Sequence, residues 1–219
     1  MKKDMKEKGA VLQRDMQTYA VKVHVPGGFV EPETLRRIAN LAERYEVQAV
    51  KLTSAQRIAL IGLPEEKVDE VIAALGDCGG AAAGLCVRYV KICPGKMYCK
   101  RGQQDSVEAG LEMDRNYYGL SVPWKFKMGV SGCPNDCSEV CIKDLGLVGK
   151  PGGWDVFVGG NGGSRPRLAL KLIENVPSRE EALAVADRVI AWFRSTERSC
   201  RIGKVIGEMG LERFRGEVL

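Results

Sequence analysis

A chain of 219 residues with 45% hydrophobic content can bury a sizeable core, as one large domain or two packed ones. Its net charge of +5 is modest and not gathered into a polybasic tract, which argues against a nucleic-acid arm and suits an anionic ligand. No apolar run reaches the roughly 18 residues that span a bilayer, and the charged start Met1-Lys2-Lys3-Asp4-Met5-Lys6-Glu7-Lys8 lacks the apolar core of a signal peptide. The expectation is a cytoplasmic protein with no membrane or nucleic-acid partner. Its eight cysteines would then serve metals or redox chemistry rather than disulfides.

Residues 1–18 read as an N-terminal extension. Tyr19 to Val25 alternates like a strand and stops at the turn Pro26-Gly27-Gly28. Pro32 opens a helix whose apolar positions Leu35, Ile38, Ala39, Ala42 and Tyr45 follow helical spacing. Val47 to Thr53 and Arg57 to Leu63 read as two further strands. Pro64 starts a second helix with Val68, Val71, Ile72 and Leu75 inward, and Leu85 to Ile92 makes another strand. That order, β-α-β-β-α-β, is a ferredoxin-like unit. Further on, Phe126 to Val130 is a strand, and Ser178 with Glu181 forms a capping box. The helix it opens turns Leu183, Ala186, Val189, Ile190 and Phe193 inward, and a last amphipathic helix is expected over Lys204 to Phe214. The expected class is α+β: a ferredoxin-like domain over 19–84, packed on an α/β unit over 85–219 that ends in helices.

Four cysteines form two pairs, Cys93-x5-Cys99 and Cys133-x3-Cys137. Cys93 follows a strand and leads into Pro94-Gly95, while Cys133 and Cys137 flank a Pro-Asn turn after another strand. Four thiolates brought together suit a 4Fe–4S cluster, because soft sulfur ligands hold iron–sulfur centres. The spacing matches neither the ferredoxin run nor paired zinc knuckles. A zinc site and four unrelated buried thiols are the alternative readings of these residues. Lys125 and Lys127 alternate along a strand and share a face, which by itself suits a solvated pair. The glycine run Gly159, Gly160, Gly162 and Gly163 is, by itself, a flexible hairpin or a wall that a ligand can approach closely.

Together these stretches resemble the sirohaem-containing sulfite and nitrite reductases. The two cysteine pairs, with Gly132-Cys133-Pro134-Asn135, are similar to that family's cluster motif. Pro123-Trp124-Lys125-Phe126-Lys127 resembles its Pro-x-Lys-Phe-Lys strand, and Gly159-Gly160-Asn161 to Arg165-Pro166-Arg167 resembles its loop against the sirohaem. Lys51-Leu52-Thr53-Ser54-Ala55-Gln56 is similar to its Leu-Thr-x-x-Gln strand. The likeness runs from about Tyr19 to the C-terminus.

The resemblance implies sirohaem and a 4Fe–4S cluster held by Cys93, Cys99, Cys133 and Cys137, with Cys137 bridging to the sirohaem iron. It implies that Gly159, Gly160, Asn161, Arg165, Arg167, Thr53 and Gln56 contact the cofactor. Lys125 and Lys127 would face the anion, neutralise it and donate protons. Larger relatives carry arginine where Ala55 stands, so Arg57, two residues on along the same strand face, and Arg88 are the candidate replacements. The implied reaction is six-electron reduction of sulfite to sulfide. Nitrite reduction to ammonia at the same site is the alternative, and an electron-transfer module with little catalysis is a third reading. The larger relatives contain two related halves, so a one-copy chain would act as a compact monomer or a twofold homodimer. No flavin or NADPH segment is visible, so an external donor such as ferredoxin is expected.

Other residues carry weaker signals. Cys141 would share a helix face with Cys137 and reads as a small core residue, while Cys78, Cys86 and Cys200 lack ligand spacing. His24 reads as structural or as a contact to a carboxylate. Lys96, Lys100 and Arg101 beside Cys99 would bind sirohaem carboxylates, dock an acidic donor, or simply be solvated.

Overall fold

The computed structural model describes residues 2–219 and divides into two compact units, the first ending at Gly84 and the second running Leu85–Leu219. In the first, strands β1 (Ala10–Leu12), β2 (Thr18–Val23), β3 (Ala49–Leu52) and β4 (Ile58–Pro64) form one antiparallel sheet in the order β1-β2-β4-β3. Helices α1 (Pro32–Arg44) and α2 (Val68–Leu75) bring Ile38, Leu41, Val68, Val71 and Leu75 into one core with Tyr19, Val21, Val23, Leu60 and Leu63. Pro32 occupies the first turn of α1, where its missing N–H leaves no bond unmade. The buried stripe of α1 is Ile38 and Leu41, with Ala42 and Tyr45 beside it; Leu35 and Ala39, expected inward, are exposed. Both stripes have helical period, and the sheet selects the one centred on Leu41.

The expected sixth element does not join this sheet. The strand beside β2 is β1, drawn from the expected extension, with Ala10 opposite Val21 and Leu12 opposite Tyr19. Strand β5 (Val87–Ile92) belongs to the second unit instead, because Val87, Val90 and Ile92 bury themselves in that unit's core.

The second unit is a five-stranded mixed sheet in the order β5-β6-β7-β8-β9, adding β6 (Phe126–Ser131), β7 (Leu145–Lys150), β8 (Gly153–Val158) and β9 (Leu170–Val176). Strands β5, β6 and β7 run parallel; β8 and β9 return antiparallel. After β5 comes the short helix α3 (Gly95–Tyr98), then α4 (Ser106–Tyr117), which makes the crossover that parallel pairing requires. Asp105 caps α4, accepting from the N–H groups of Val107 and Glu108. Helix α5 (Arg179–Ser195) begins at Ser178, whose Oγ accepts the Glu181 N–H at 3.1 Å, and it turns Leu183, Ala186, Val189, Ile190 and Phe193 inward. Phe126 and Phe193 meet at 5.5 Å between ring centroids. The single expected C-terminal helix is two, α6 (Ile202–Met209) and α7 (Leu211–Val218), broken at Gly210, whose φ of +88° no other residue type adopts readily. Among the described residues no helix is long and apolar enough to cross a membrane.

Candidate functional site

The two cysteine pairs leave one end of the second sheet side by side. Strands β5 and β6 are parallel neighbours with Ile92 opposite Val130, so Cys93 and the Gly132-Cys133 turn emerge together at their carboxyl ends. Loops at that end of parallel strands form the usual ligand crevice. The Cys93 N–H donates to Val130 O at 3.2 Å, which fixes the first pair to the second strand. Cys93 and Cys133 are buried; Cys99 and Cys137 are exposed. Burial first, then the neighbouring thiols of Cys93, Cys133 and Cys99, push the Cys137 thiol above its ordinary range. The other three sulfurs thus lie close enough to act on that of Cys137, as a shared soft-ligand site requires. No group of three or more His, Cys, Asp or Glu side chains among the described residues is tight enough for a single metal ion. A cluster asks less of its ligands, since each thiolate takes a different iron.

Cys93 is held from two sides. The Gly132 N–H donates to its Sγ at 3.1 Å, and the buried Ser106 Oγ lies 3.3 Å from the same sulfur while donating to Cys93 O at 2.9 Å. A Cβ on Gly132 would stand 2.7 Å from Gly95 Cα and 2.8 Å from Gln104 O, so the two loops touch only because this residue is glycine. The second loop is organised by Asp136. Its Oδ1 accepts from Ser131 Oγ at 2.9 Å and Val140 N at 2.7 Å, and its Oδ2 from Cys141 N at 2.9 Å. Ser106 and Asp136 escaped the sequence reading; the Pro-Asn-Asp turn chemistry was the signal for the latter. Cys141 does not share a helix face with Cys137. The chain there is a turn around Val140–Ile142, and Cys141 is exposed rather than in the core.

Lys125 and Lys127 lie at the other end of β6, both half-buried. At about 3.3 Å per residue, Lys127 and Cys133 are roughly 20 Å apart along the strand. The Lys127 Nζ sits 5.8 Å from the Tyr89 ring centroid. Burial, helped by Arg201, Arg88 and Lys125, holds its ammonium below the ordinary lysine range, and Asp144 opposes them. Asp144 is fully buried just before β7. Its Oδ2 accepts the Lys127 N–H at 2.8 Å and lies 2.9 Å from Arg201 Nη2. Neither Asp144 nor Arg201 was singled out in the sequence, although a Lys143-Asp144 pair at the mouth of an apolar strand is unusual enough to be a signal.

Beside this cluster, a cavity of about 440 Å³ is lined by Trp124, Gly159, Asn161, Arg165, Arg167, Arg201 and Lys204, among others. The Asn161–Arg167 loop is closed by two backbone bonds of 2.8 Å between those residues, and Asn161 Oδ1 accepts from Gly163 N. Its first glycines serve packing as well as approach. Gly159 meets the backbone of Gly203 in α6, and a Cβ on Gly160 would stand 2.6 Å from Lys143 O. Arg165 and Arg167 are exposed at the rim. Two pairs of soft thiol donors, a cavity walled by guanidinium groups and close backbone suit an iron–sulfur cluster and a polycarboxylate macrocycle.

Thr53, Gln56 and Arg57 belong to the first unit, and there the structure departs from expectation. Residues 53–57 are the turn between β3 and β4, not a strand, so Ala55 and Arg57 do not share a strand face. Arg57 is 6% exposed; its backbone N–H donates to Thr53 Oγ1 at 3.1 Å, and its Nη1 lies 3.4 Å from Ala82 O. Gln56 takes a φ of +56° and packs on Gly28. Arg88, in β5, is half-buried beside Lys127. His24 is half-buried, and its backbone N–H donates to Cys78 O at 2.8 Å.

Residues 83–219 match the family described as "Nitrite and sulphite reductase 4Fe-4S domain", and residues 11–78 match "Nitrite/Sulfite reductase ferredoxin-like half domain". The chain is 39% identical over 213 residues to a "Sulfite reductase, assimilatory-type" of Nitratidesulfovibrio vulgaris, covering 97% of each. It is 42% identical over 187 residues to the "Nitrite reductase [NAD(P)H]" of Bacillus subtilis, covering 85% of this chain but 23% of that one. Two solved structures share the fold: the Mycobacterium tuberculosis NirA protein and dissimilatory sulfite reductase I. The first has a TM-score of 0.79 at 22% identity, over 96% of this chain and 44% of that one. The second has a TM-score of 0.81 at 14% identity, over 92% and 69%.

Proposed function

The chain belongs to the nitrite and sulphite reductase family, and we propose that it reduces sulfite to sulfide at a site served by sirohaem and a 4Fe–4S cluster. The convergence of both cysteine pairs at the carboxyl ends of β5 and β6 carries the cluster part of this reading. The choice of sulfite rests on the assimilatory-type relative, which this chain matches over nearly its full length. When bound, the two cofactors supply an iron that takes the anion and a store of single electrons beside it.

The chain's own residues do the rest. Cys93, Cys99, Cys133 and Cys137 would hold the cluster, and the exposed Cys137 would also serve the second metal. Arg165 and Arg167 would hold macrocycle carboxylates as bidentate donors, with Gly159, Gly160 and Asn161 forming the wall. Lys125 and Lys127 neutralise the anion. Lys127, its ammonium held below the ordinary range chiefly by burial, gives up a proton more readily than a solvated lysine as S–O bonds break. Arg88 adds a second positive charge. Arg57, turned toward Ala82 O, has the weaker claim.

Electrons arrive from a separate one-electron carrier such as a ferredoxin. Lys96, Lys100 and Arg101 around exposed Met97 and Tyr98, next to Cys99, suit an acidic partner of that kind. Nitrite is the second reading, favoured by the identity to the Bacillus subtilis enzyme. Lys127→Met tests the site: iron and sirohaem content should stay at wild-type levels while turnover with sulfite falls at least roughly a hundredfold, within the range a proton donor supplies. Unchanged turnover removes Lys127 from the reaction, and a wild-type kcat/KM higher for nitrite than for sulfite reverses the substrate order.

A further inference from the structure

Asp144 stands between the two parts of the anion pocket. It is fully buried, yet it belongs neither to the cysteine loops nor to the cavity lining. Its backbone accepts the Gly159 N–H at 2.8 Å and donates to Lys127 O at 2.9 Å, so it joins the start of β6 to the glycine loop. Its Oδ2 takes the backbone N–H of Lys127 and the Arg201 ion pair together, and its Oδ1 is buried with no hydrogen-bond partner among the described residues. Arg201, whose side chain is 13% exposed, lines the cavity from the residue before α6. A carboxylate behind a guanidinium in a cavity wall fixes its orientation strongly.

We propose that Asp144 is a positioning residue: it anchors Arg201 in the cavity wall and supplies the counter-charge that keeps Lys127 protonated. The inference rests on Lys127 serving the anion. The groups that act on Lys127 are Arg201 before α6, Asp144 before β7, Arg88 from β5 and Lys125 beside β6; all but Asp144 disfavour its proton. Asp144 in turn faces Lys127 and Arg201.

Burial lifts Asp144 to about 7, against the pull of Arg201 and Lys127. The pocket therefore changes character across neutral pH. Below that value residue 144 is neutral and Lys127 meets only positive neighbours. Above it the carboxylate is charged and holds the lysine's proton. Asp144→Asn should then match the wild type at acid pH and differ from it at alkaline pH, where the counter-charge is lost. The ratio of variant to wild type cancels the titration of sulfite itself.

The test uses the anaerobic holoenzyme and two readouts: sulfite affinity of the oxidised protein, from the visible spectrum, and dye-driven turnover, each from pH 6 to 9.5. Asp144→Asn should stay within about twofold of wild type at pH 6 and fall roughly tenfold in both readouts at pH 9, the size of one pK unit. Arg201→Met, which removes a repulsive neighbour of Lys127 and leaves it the whole carboxylate, should move the alkaline limb of turnover to higher pH. A loss in Asp144→Asn that is the same at every pH, or no loss, overturns the proposal. If that variant does not fold, an alkaline limb in Arg201→Met that stays in place or moves down overturns it alone. Lys127→Met separates the two levels: full turnover there sinks the reading underneath, whereas lost turnover with unmoved limbs in the other variants sinks only the role of Asp144.

Discussion

The two cysteine loops reach the same end of the sheet by different means. The Cys133 loop is bonded internally: Asp136 accepts three hydrogen bonds, and Ser138 Oγ donates to Val130 O at 2.5 Å. The Cys93 loop has backbone bonds of its own, from the N–H groups of Lys96, Cys99 and Gly102 to Gln104 O, Gly95 O and Cys99 O, but no such side-chain centre; Cys93 itself is positioned by Gly132, Ser106 and the backbone of β6. One loop is a rigid platform, and the other is docked against it. The docked loop also carries the exposed Met97 and Tyr98 and the basic residues around Cys99. A surface that must admit a partner is better placed on the docked loop, which presents these side chains to solvent, than on the platform.

Removing a ligand from the platform should have the largest effect. Cys137→Ser replaces the thiolate proposed to join both metals with a harder, less acidic hydroxyl. The expected outcome is protein that folds but loses the coupling between cluster and sirohaem, seen as altered visible and EPR spectra and turnover near background. A variant with the wild-type spectrum and rate would reduce Cys137 to an ordinary ligand or none. Next comes the contact between the loops. Gly132→Ala drives a methyl group into Gly95 Cα and Gln104 O, which are backbone and cannot yield as a side-chain tip would. Overpacking of this kind costs about 1–3 kcal/mol. Thermal melts should show it, and iron should be lost faster from the docked Cys93 pair. If the melt is unchanged, the loops are not in the close contact that defines the comparison.

How much of this was legible in the sequence depended on how local the signal was. The helices with clean period and a proline or serine start were readable, as Pro32 and Ser178 show. Strand β1 was not: three apolar residues between charged and polar runs carry no alternation, and only β2 makes them a strand. Leu85–Ile92 was read as a strand correctly but given to the wrong sheet, since alternation reveals which face is buried and not which neighbour covers it. Helix α4 was missed because its buried set includes Ser106, Gly110 and Asp114, which look polar or small in a one-dimensional reading. The cysteines, lysines and glycine–arginine loop stood out because their types and spacing carry the chemistry. Asp144, Arg201, Asp136 and Ser106 did not, because each acts on a residue distant in sequence.

Ser106→Ala gives the smallest and most specific test of how the docked loop is held. Ser106 is fully buried, and its hydroxyl has two claims on it, the Cys93 carbonyl at 2.9 Å and the Cys93 sulfur at 3.3 Å. Losing the bond to the carbonyl costs about 1 kcal/mol, a fall of about 2–4 °C in melting temperature for a chain of this size. The sulfur claim has a separate signature. Hydrogen bonds to ligand sulfurs stabilise the reduced, more negative cluster and raise its potential, so alanine should shift the cluster midpoint to more negative values in an EPR-monitored redox titration. The Gly132 N–H remains on the sulfur and limits the shift. A lower melting temperature with an unmoved midpoint would assign the hydroxyl to the carbonyl alone, and leave the platform's backbone as the only donor that tunes Cys93.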